Sequence, residues 1–186
     1  MSPLMRWAAR TSHEDDPWER VGSAPKPEFF GRGSTHPFSW YLEGESTVEV
    51  KTLDDICAWL MECRYVRDPD LFNESDFWQH PRTFERLRQG DCEDHALWAW
   101  RKLVELGVDA ELVSGTWKQA GGDEGGHVWV RFRQDGRDFI LESVARVRER
   151  IIRPFDEVKA EYIPHAGVDR DLKRHAYMGY LRGFQG

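Results

Sequence analysis

A chain of 186 residues is long enough for one domain with its own core, and 40% hydrophobic content with nine Trp and ten Phe excludes global disorder. Thirty-three acids against 26 Lys plus Arg leave a net charge of -7 with the basic residues scattered, which excludes electrostatically driven nucleic-acid binding. The apolar run Ile56 to Met61 is far short of the roughly 20 residues of a bilayer-spanning helix, and Leu4 to Ala9, broken by Arg6, lacks the apolar stretch of a secretory signal, so no membrane span and a cytoplasmic location are expected.

Residues 1–44 carry five of the nine Pro and hold no helical or alternating period for long, so they read as an irregular arm. Its aromatics, among them Trp7, Trp18, Phe29, Phe30, Phe38, Trp40 and Tyr41, imply that parts of it lie on the domain at 45–186. Thr52, with Asp55 three residues on, forms a capping box, and Ile56, Trp59, Leu60 and Cys63 then recur at helical spacing, which predicts a helix from Leu53 to Tyr65. Residues 68–89 are mostly polar, punctuated by Phe72, Phe77, Trp78, Phe84 and Leu87. A second helix begins at Cys92, with Ala96, Ala99, Leu103 and Leu106 on one stripe and Gly107 as its stop. Asp91, Glu93 and Asp94 crowd its first turn, where the helix dipole favours anions.

Past Gly107 the period changes to two. Strands are predicted at Asp109 to Lys118, His127 to Gln134 and Asp138 to Ser143, with a Gly-rich rim loop at Gly121 to Gly126 and a tight Asp135-Gly136 turn. Arg150 to Ile152 suits a further short strand, and Leu172 to Leu181 a terminal helix.

Three cysteines argue against a disulfide framework, and Cys57 and Cys63, roughly 9 Å apart along one helix, read as buried small hydrophobes. Cys92 is different because it opens a helix. A thiol is activated by ionisation, which a helix N-terminus and a neighbouring imidazolium favour. His127 opens the strand after the Gly-rich loop, and Glu142 sits near the end of the next one. In a hairpin turning at Asp135-Gly136, partners sum to about 271, so Glu142 is a diagonal neighbour of His127 and can orient it.

Gly90-Asp91-Cys92-Glu93-Asp94-His95-Ala96 resembles the nucleophile motif of the bacterial transglutaminase-like cysteine proteinases. Gly126-His127-Val128-Trp129-Val130 resembles their histidine strand, and Phe139-Ile140-Leu141-Glu142 stands where they carry a strand ending in Asp. Phe77-Trp78-Gln79-His80-Pro81 is similar to the segment before their cysteine helix, and the likeness covers residues 50–152. It implies a papain-like α+β fold, the cysteine helix packed on an antiparallel sheet, and thiolate attack on a peptide or amide bond through Cys92, His127 and Glu142. Glu142 departs from the pattern by one methylene. For the oxyanion, the Cys92 backbone N–H and a side chain from Trp78 or Gln79 are candidate donors.

No cofactor is expected. Related proteases bind calcium through acids near the cysteine, which makes Asp91 and Glu93 candidate ligands, whereas Cys92, His95 and His127 lack paired zinc-ligand spacing. The expected partner is a peptide or protein substrate. A thiol hydrolase leads, with a protein-glutamine acyltransferase and a non-catalytic binding module as the alternatives.

Overall fold

The computed structural model describes Phe30, Gly33 and Ser34, then residues 36–119 and 121–183. Trp7, Trp18 and Phe29, expected to lie on the domain, fall outside the described residues. Two features of the architecture position the site: a long buried helix and the antiparallel sheet against it. In chain order the helices are α1 (Phe38–Leu42), α2 (Leu53–Met61), α3 (Asp68–Leu71), α4 (Pro81–Leu87), α5 (Cys92–Glu105) and α6 (Phe155–Val158). The strands are β1 (Arg64–Tyr65), β2 (Gln89–Gly90), β3 (Asp109–Lys118), β4 (Glu124–Gln134), β5 (Arg137–Leu141), β6 (Ile152–Pro154), β7 (Tyr162–Asp169), β8 (Arg174–Met178) and β9 (Leu181–Gly183). No helix among the described residues is long and apolar enough to cross a membrane.

Seven strands form one antiparallel sheet in the order β6-β5-β4-β3-β7-β8-β9. One face, with Ala110, Leu112, Val128, Val130, Phe132 and Leu141, packs on α5. The other carries Val113, Trp129, Ile140 and Tyr162, with Val158 of α6 in the same cluster. The alternation along β3 and β4 therefore serves two cores, one on each side of the pleat.

Helix α5 is buried on more than the predicted stripe, because α1, α2 and α4 cover the side the sheet does not. Trp98 stacks on Trp59 at 3.9 Å between ring centroids, and each such buried aromatic contributes up to about 3 kcal/mol of apolar transfer. Arg101 and Lys102 point into the same layer and are satisfied there. Arg101 donates to the carbonyls of Glu43 (2.9 Å) and Gly44, while Lys102 reaches Ser46, the carbonyl of Val48 (2.7 Å) and Glu105 (2.9 Å). Glu85 accepts from Ser46, from Thr47 and from Trp98 Nε1, so residues 43–48 are clipped across the outer face of α5. The nucleophile helix is thus fixed from both sides.

Several elements differ from the sequence reading. The arm at 1–44 contains a helix, α1, whose Phe38 is buried against Trp78 and Trp100 in the main core, with Tyr41 buried beside it. The helix predicted to Tyr65 stops at Met61. Arg64 and Tyr65 instead pair in parallel with Gln89 and Gly90, so backbone pairing outcompetes the last helical turn. Strand β4 starts at Glu124, since Gly125 and Gly126 pair with Trp117 and Thr116, and only the earlier glycines form the loop. The strand expected at Arg150 to Ile152 lies at Ile152–Pro154, after a 3₁₀ turn, Arg148–Arg150. The predicted terminal helix is the β8–β9 hairpin. Tyr177 and Arg182, one on each strand, both donate to Glu111, a buried carboxylate of β3, at 2.6 Å each, and this tertiary anchor overrides the local helical pattern.

Candidate active site

Gly90 and Asp91 deliver Cys92 to the first turn of α5. A Cβ on Gly90 would lie 2.3 Å from Asp94 Oδ2 and 2.6 Å from Gln79 Nε2, so a larger residue would push the turn apart. Cys92 is half-buried, and its thiol donates to Glu93 Oε2 at 3.2 Å. Cys57 and Cys63 are buried in the core; burial pushes the Cys57 thiol up and the Cys63 thiol up to about 12, which keeps both protonated and inert.

His127 and Glu142 meet as the hairpin register requires. Val130 opposite Leu141 gives the sum of 271, and His127 Nε2 lies 2.8 Å from Glu142 Oε2. That leaves Nδ1 as the nitrogen free for another partner. Cys92 and His127 line one groove of about 320 Å³, together with Tyr65, Trp117, Gly126 and Val144. Burial disfavours the imidazolium, but the Glu142 charge and hydrogen bonds to Cys92 and Glu142 outweigh it and raise His127 to about 10. Glu142 is buried too, which raises its carboxyl, yet the charge of His127 and the bonds from His127, Tyr162 and the Val144 amide hold it below the usual carboxylate range. His127 is therefore an imidazolium and Glu142 a carboxylate at neutral pH.

Sequence reasoning missed the next layer. Tyr162, at the start of β7, donates to the same Glu142 Oε2 at 2.8 Å and accepts from Arg153 at 3.1 Å. These donors fix the longer carboxylate arm. No sequence signal marked Tyr162, which lies beyond residues 50–152, the extent of the family likeness.

Trp78 and Gln79 are committed elsewhere. Trp78 Nε1 donates to Asp76 at 3.1 Å; the Gln79 amide donates to Gln89 O (2.9 Å) and Asp94 (2.6 Å), and its backbone N–H to Asp94 (2.9 Å). Neither lines the groove, whereas Cys92, the other candidate, does. His95 is buried under Phe84 and donates from Nδ1 to the Asp91 carbonyl at 2.7 Å, away from the groove.

Asp91 and Glu93 belong to a larger acidic cluster behind the cysteine, completed by Asp68, Asp76 and Asp94. Ligand atoms lie within 4.8 Å of one another in the sets Asp68–Asp91–Asp94, Asp68–Asp76–Glu93 and Asp91–Cys92–Glu93. Burial, and then the charge of Asp91, raises Asp68 to about 7; burial comes first in raising Asp91, Glu93 and Asp94 as well. Asp68 Oδ1 and Asp91 Oδ1 are buried without a hydrogen-bond partner. An oxygen-rich cluster with unused lone pairs and mutually repelling charges fits a hard cation such as calcium. The acids at 91, 93 and 94 were visible in sequence; Asp68 and Asp76, brought in by the irregular segment upstream, were not.

The fold is similar to that of LapG from Legionella pneumophila in its calcium-bound form, with a TM-score of 0.53 at 18% identity over 84% of each chain. The EGTA-treated form of LapG gives a TM-score of 0.52 at 18% identity over 78% of this chain and 77% of that one. No curated relative matches. The family described as bacterial transglutaminase-like cysteine proteinase matches residues 43–169, a span that takes in the cysteine helix, both hairpin strands and the Tyr162 layer. With well over half its length matched, the chain belongs to that family and is a cysteine peptidase of the transglutaminase-like fold.

Proposed function

We propose that Cys92, His127 and Glu142 form the catalytic triad of a protease acting through a thioester. The observation that carries this is the buried His127–Glu142 pair, 2.8 Å apart, opening onto the groove that holds the Cys92 thiol. An imidazolium beside a thiol favours the thiolate, which is the attacking form. The thiolate adds to the scissile carbonyl, and the oxyanion is met by the Cys92 backbone N–H at the positive end of α5. His127 then gives its proton to the leaving amine, leaving an acyl group on Cys92 Sγ. As a neutral base, His127 next takes a proton from water, the hydroxide attacks the thioester, and the thiol leaves with the acid product. Glu142 holds the ring orientation and its charge throughout, and Tyr162 and Arg153 hold Glu142.

Calcium belongs to the same proposal. One LapG structure is calcium-bound, and the five acids here have the hard-oxygen chemistry for that ion. When bound it supplies positive charge that neutralises the cluster. Asp68, Asp76, Asp91, Glu93 and Asp94 would hold it, and Glu93, which accepts the hydrogen bond of the Cys92 thiol, would be one of its carboxylate ligands.

The test is thiol labelling. Iodoacetamide at about pH 6 is expected to alkylate Cys92 at least about tenfold faster than a free thiol of pKa about 8.5, with Cys57 and Cys63 protected until the protein unfolds. Labelling of Cys92 no faster than the free thiol rejects the activated nucleophile.

A further inference from the structure

A second cavity, of about 310 Å³, adjoins the Cys92 groove and shares Trp117, His127 and Val144 with it. Three arginines line it, Arg146, Arg150 and Arg153, in a chain whose net charge is -7. Their charges are unequally matched. Arg153 is paired with Glu161 at 3.3 Å, and among the described residues Arg146 donates only to a neutral group, the Cys63 carbonyl, at 3.1 Å. Arg150 is exposed, and its side chain has no hydrogen-bond or ion-pair partner among the described residues. The remaining acid in the cavity, Glu142, is neutralised by His127. The cavity therefore holds two uncompensated guanidinium charges beside the catalytic imidazolium.

Its side of the site follows from the chemistry. His127 must reach the leaving nitrogen to protonate it, so the leaving half of the substrate passes on the His127 side of the sulfur. This cavity contains His127 and Glu142 but not Cys92, which lies in the neighbouring groove with the glycines of β4. We infer that the cavity formed by Arg146, Arg150 and Arg153 is a leaving-group subsite that binds a carboxylate within the first residues after the scissile bond. The inference rests on the proposed roles of Cys92 and His127. Guanidinium groups suit this ligand because their planar donors match a carboxylate in pairs. Such a carboxylate comes from an Asp or Glu side chain or from a chain terminus.

Binding to the Cys92→Ala protein reads the subsite without turnover. The dansyl-labelled peptide Ala-Glu-Glu-Ala-Lys-amide is expected to bind about tenfold tighter than its Ala-Gln-Gln-Ala-Lys counterpart at low salt, the scale of two partly exposed ion pairs. Arg150→Glu, whose wild-type side chain supports no other residue, should shrink that ratio to within about twofold, as should high salt. Competition by the dipeptide Ala-Gln but not by Ala-Gln-amide would assign the site to a chain-terminal carboxylate; competition by neither leaves the side-chain assignment. Equal binding of the Glu and Gln peptides, or a preference untouched by Arg150→Glu, overturns the subsite. In parallel, wild-type protein digesting a mixed peptide pool should cut bonds followed by Asp or Glu several times more often than their share of the pool, or cut near free C-termini. If the Glu peptide binds as expected and the pool is not cut at all, the subsite stands and the protease reading fails.

Discussion

Replacing Glu142 by Gln keeps the side-chain shape and removes one charge. Three donors converge on the wild-type carboxylate: His127 Nε2 and Tyr162 Oη on Oε2, both at 2.8 Å, and the Val144 amide on Oε1 at 3.3 Å. A carboxylate accepts from all of them, whereas a carboxamide has one accepting end. With its oxygen toward His127 and Tyr162, its NH₂ faces the Val144 N–H; turned round, its NH₂ faces His127 and forces the tautomer with the proton on Nδ1. In that tautomer Nδ1 no longer accepts the thiol proton. The lost charge-assisted bond is worth about 1.5–3 kcal/mol, and the lost partner of a buried cation more, so turnover should fall by about 10³–10⁴. His127 sits at about 10 because Glu142 outweighs burial, so without that charge burial dominates and the imidazolium loses its proton at lower pH. Stopped-flow alkylation of Cys92 and cleavage of a peptide pool, each followed from about pH 5 to 10.5, read both effects. The alkaline limb should move down by more than about one pH unit. Superimposable pH profiles with turnover within about threefold of wild type would refute the reasoning.

The other substitutions and the metal test different parts of the site. Tyr162→Phe removes one hydrogen bond to a charged acceptor and should lower the rate about tenfold, while the alkaline limb stays or moves up, since Glu142 loses a competing donor; a downward shift contradicts the positioning role. Asp138→Asn should leave turnover within about twofold, because its carboxylate pairs with Arg131 at 2.6 Å near the β4–β5 turn; loss of activity would move the third triad member to Asp138. Calcium at about 100 times its Kd should raise the thermal midpoint by about 5–10 °C at pH 7.5 and by clearly less at pH 5.5. The sign follows from Asp68. With its folded pKa raised to about 7 above an unfolded value near 3.8, the calcium-free fold loses stability as pH rises through that window, and the cation offsets the loss. An equal shift at both pH values would argue against the acidic cluster as the site.

The parts of this fold that were legible in sequence are those set by local rules. The β3–β5 meander follows from period-two alternation and an Asp-Gly turn, and its register put Glu142 next to His127 before any distance was known. The start of α5 at Cys92 follows from the acids at 91, 93 and 94 and from the apolar stripe that begins there. What was not legible depends on contacts across the chain. The β8–β9 hairpin is held by Glu111, more than 60 residues away, and α1 is a five-residue helix made stable by the aromatic core it enters, with too little length to show a period. Tyr162 and Asp68 escaped notice for the same reason: each completes a site whose other members lie on distant segments.

The central claim is that Cys92 carries the acyl group. It is tested by digesting a mixed peptide pool with the wild-type and Cys92→Ala proteins, quenching the wild-type reaction in acid within milliseconds, and mapping the adduct by mass. The account predicts an acyl mass on the tryptic peptide containing Cys92 and a loss of cleavage of at least about 10⁴ in Cys92→Ala, since no other described thiol reaches the groove. Cleavage by Cys92→Ala within about tenfold of wild type, or an adduct on a different residue, would contradict it.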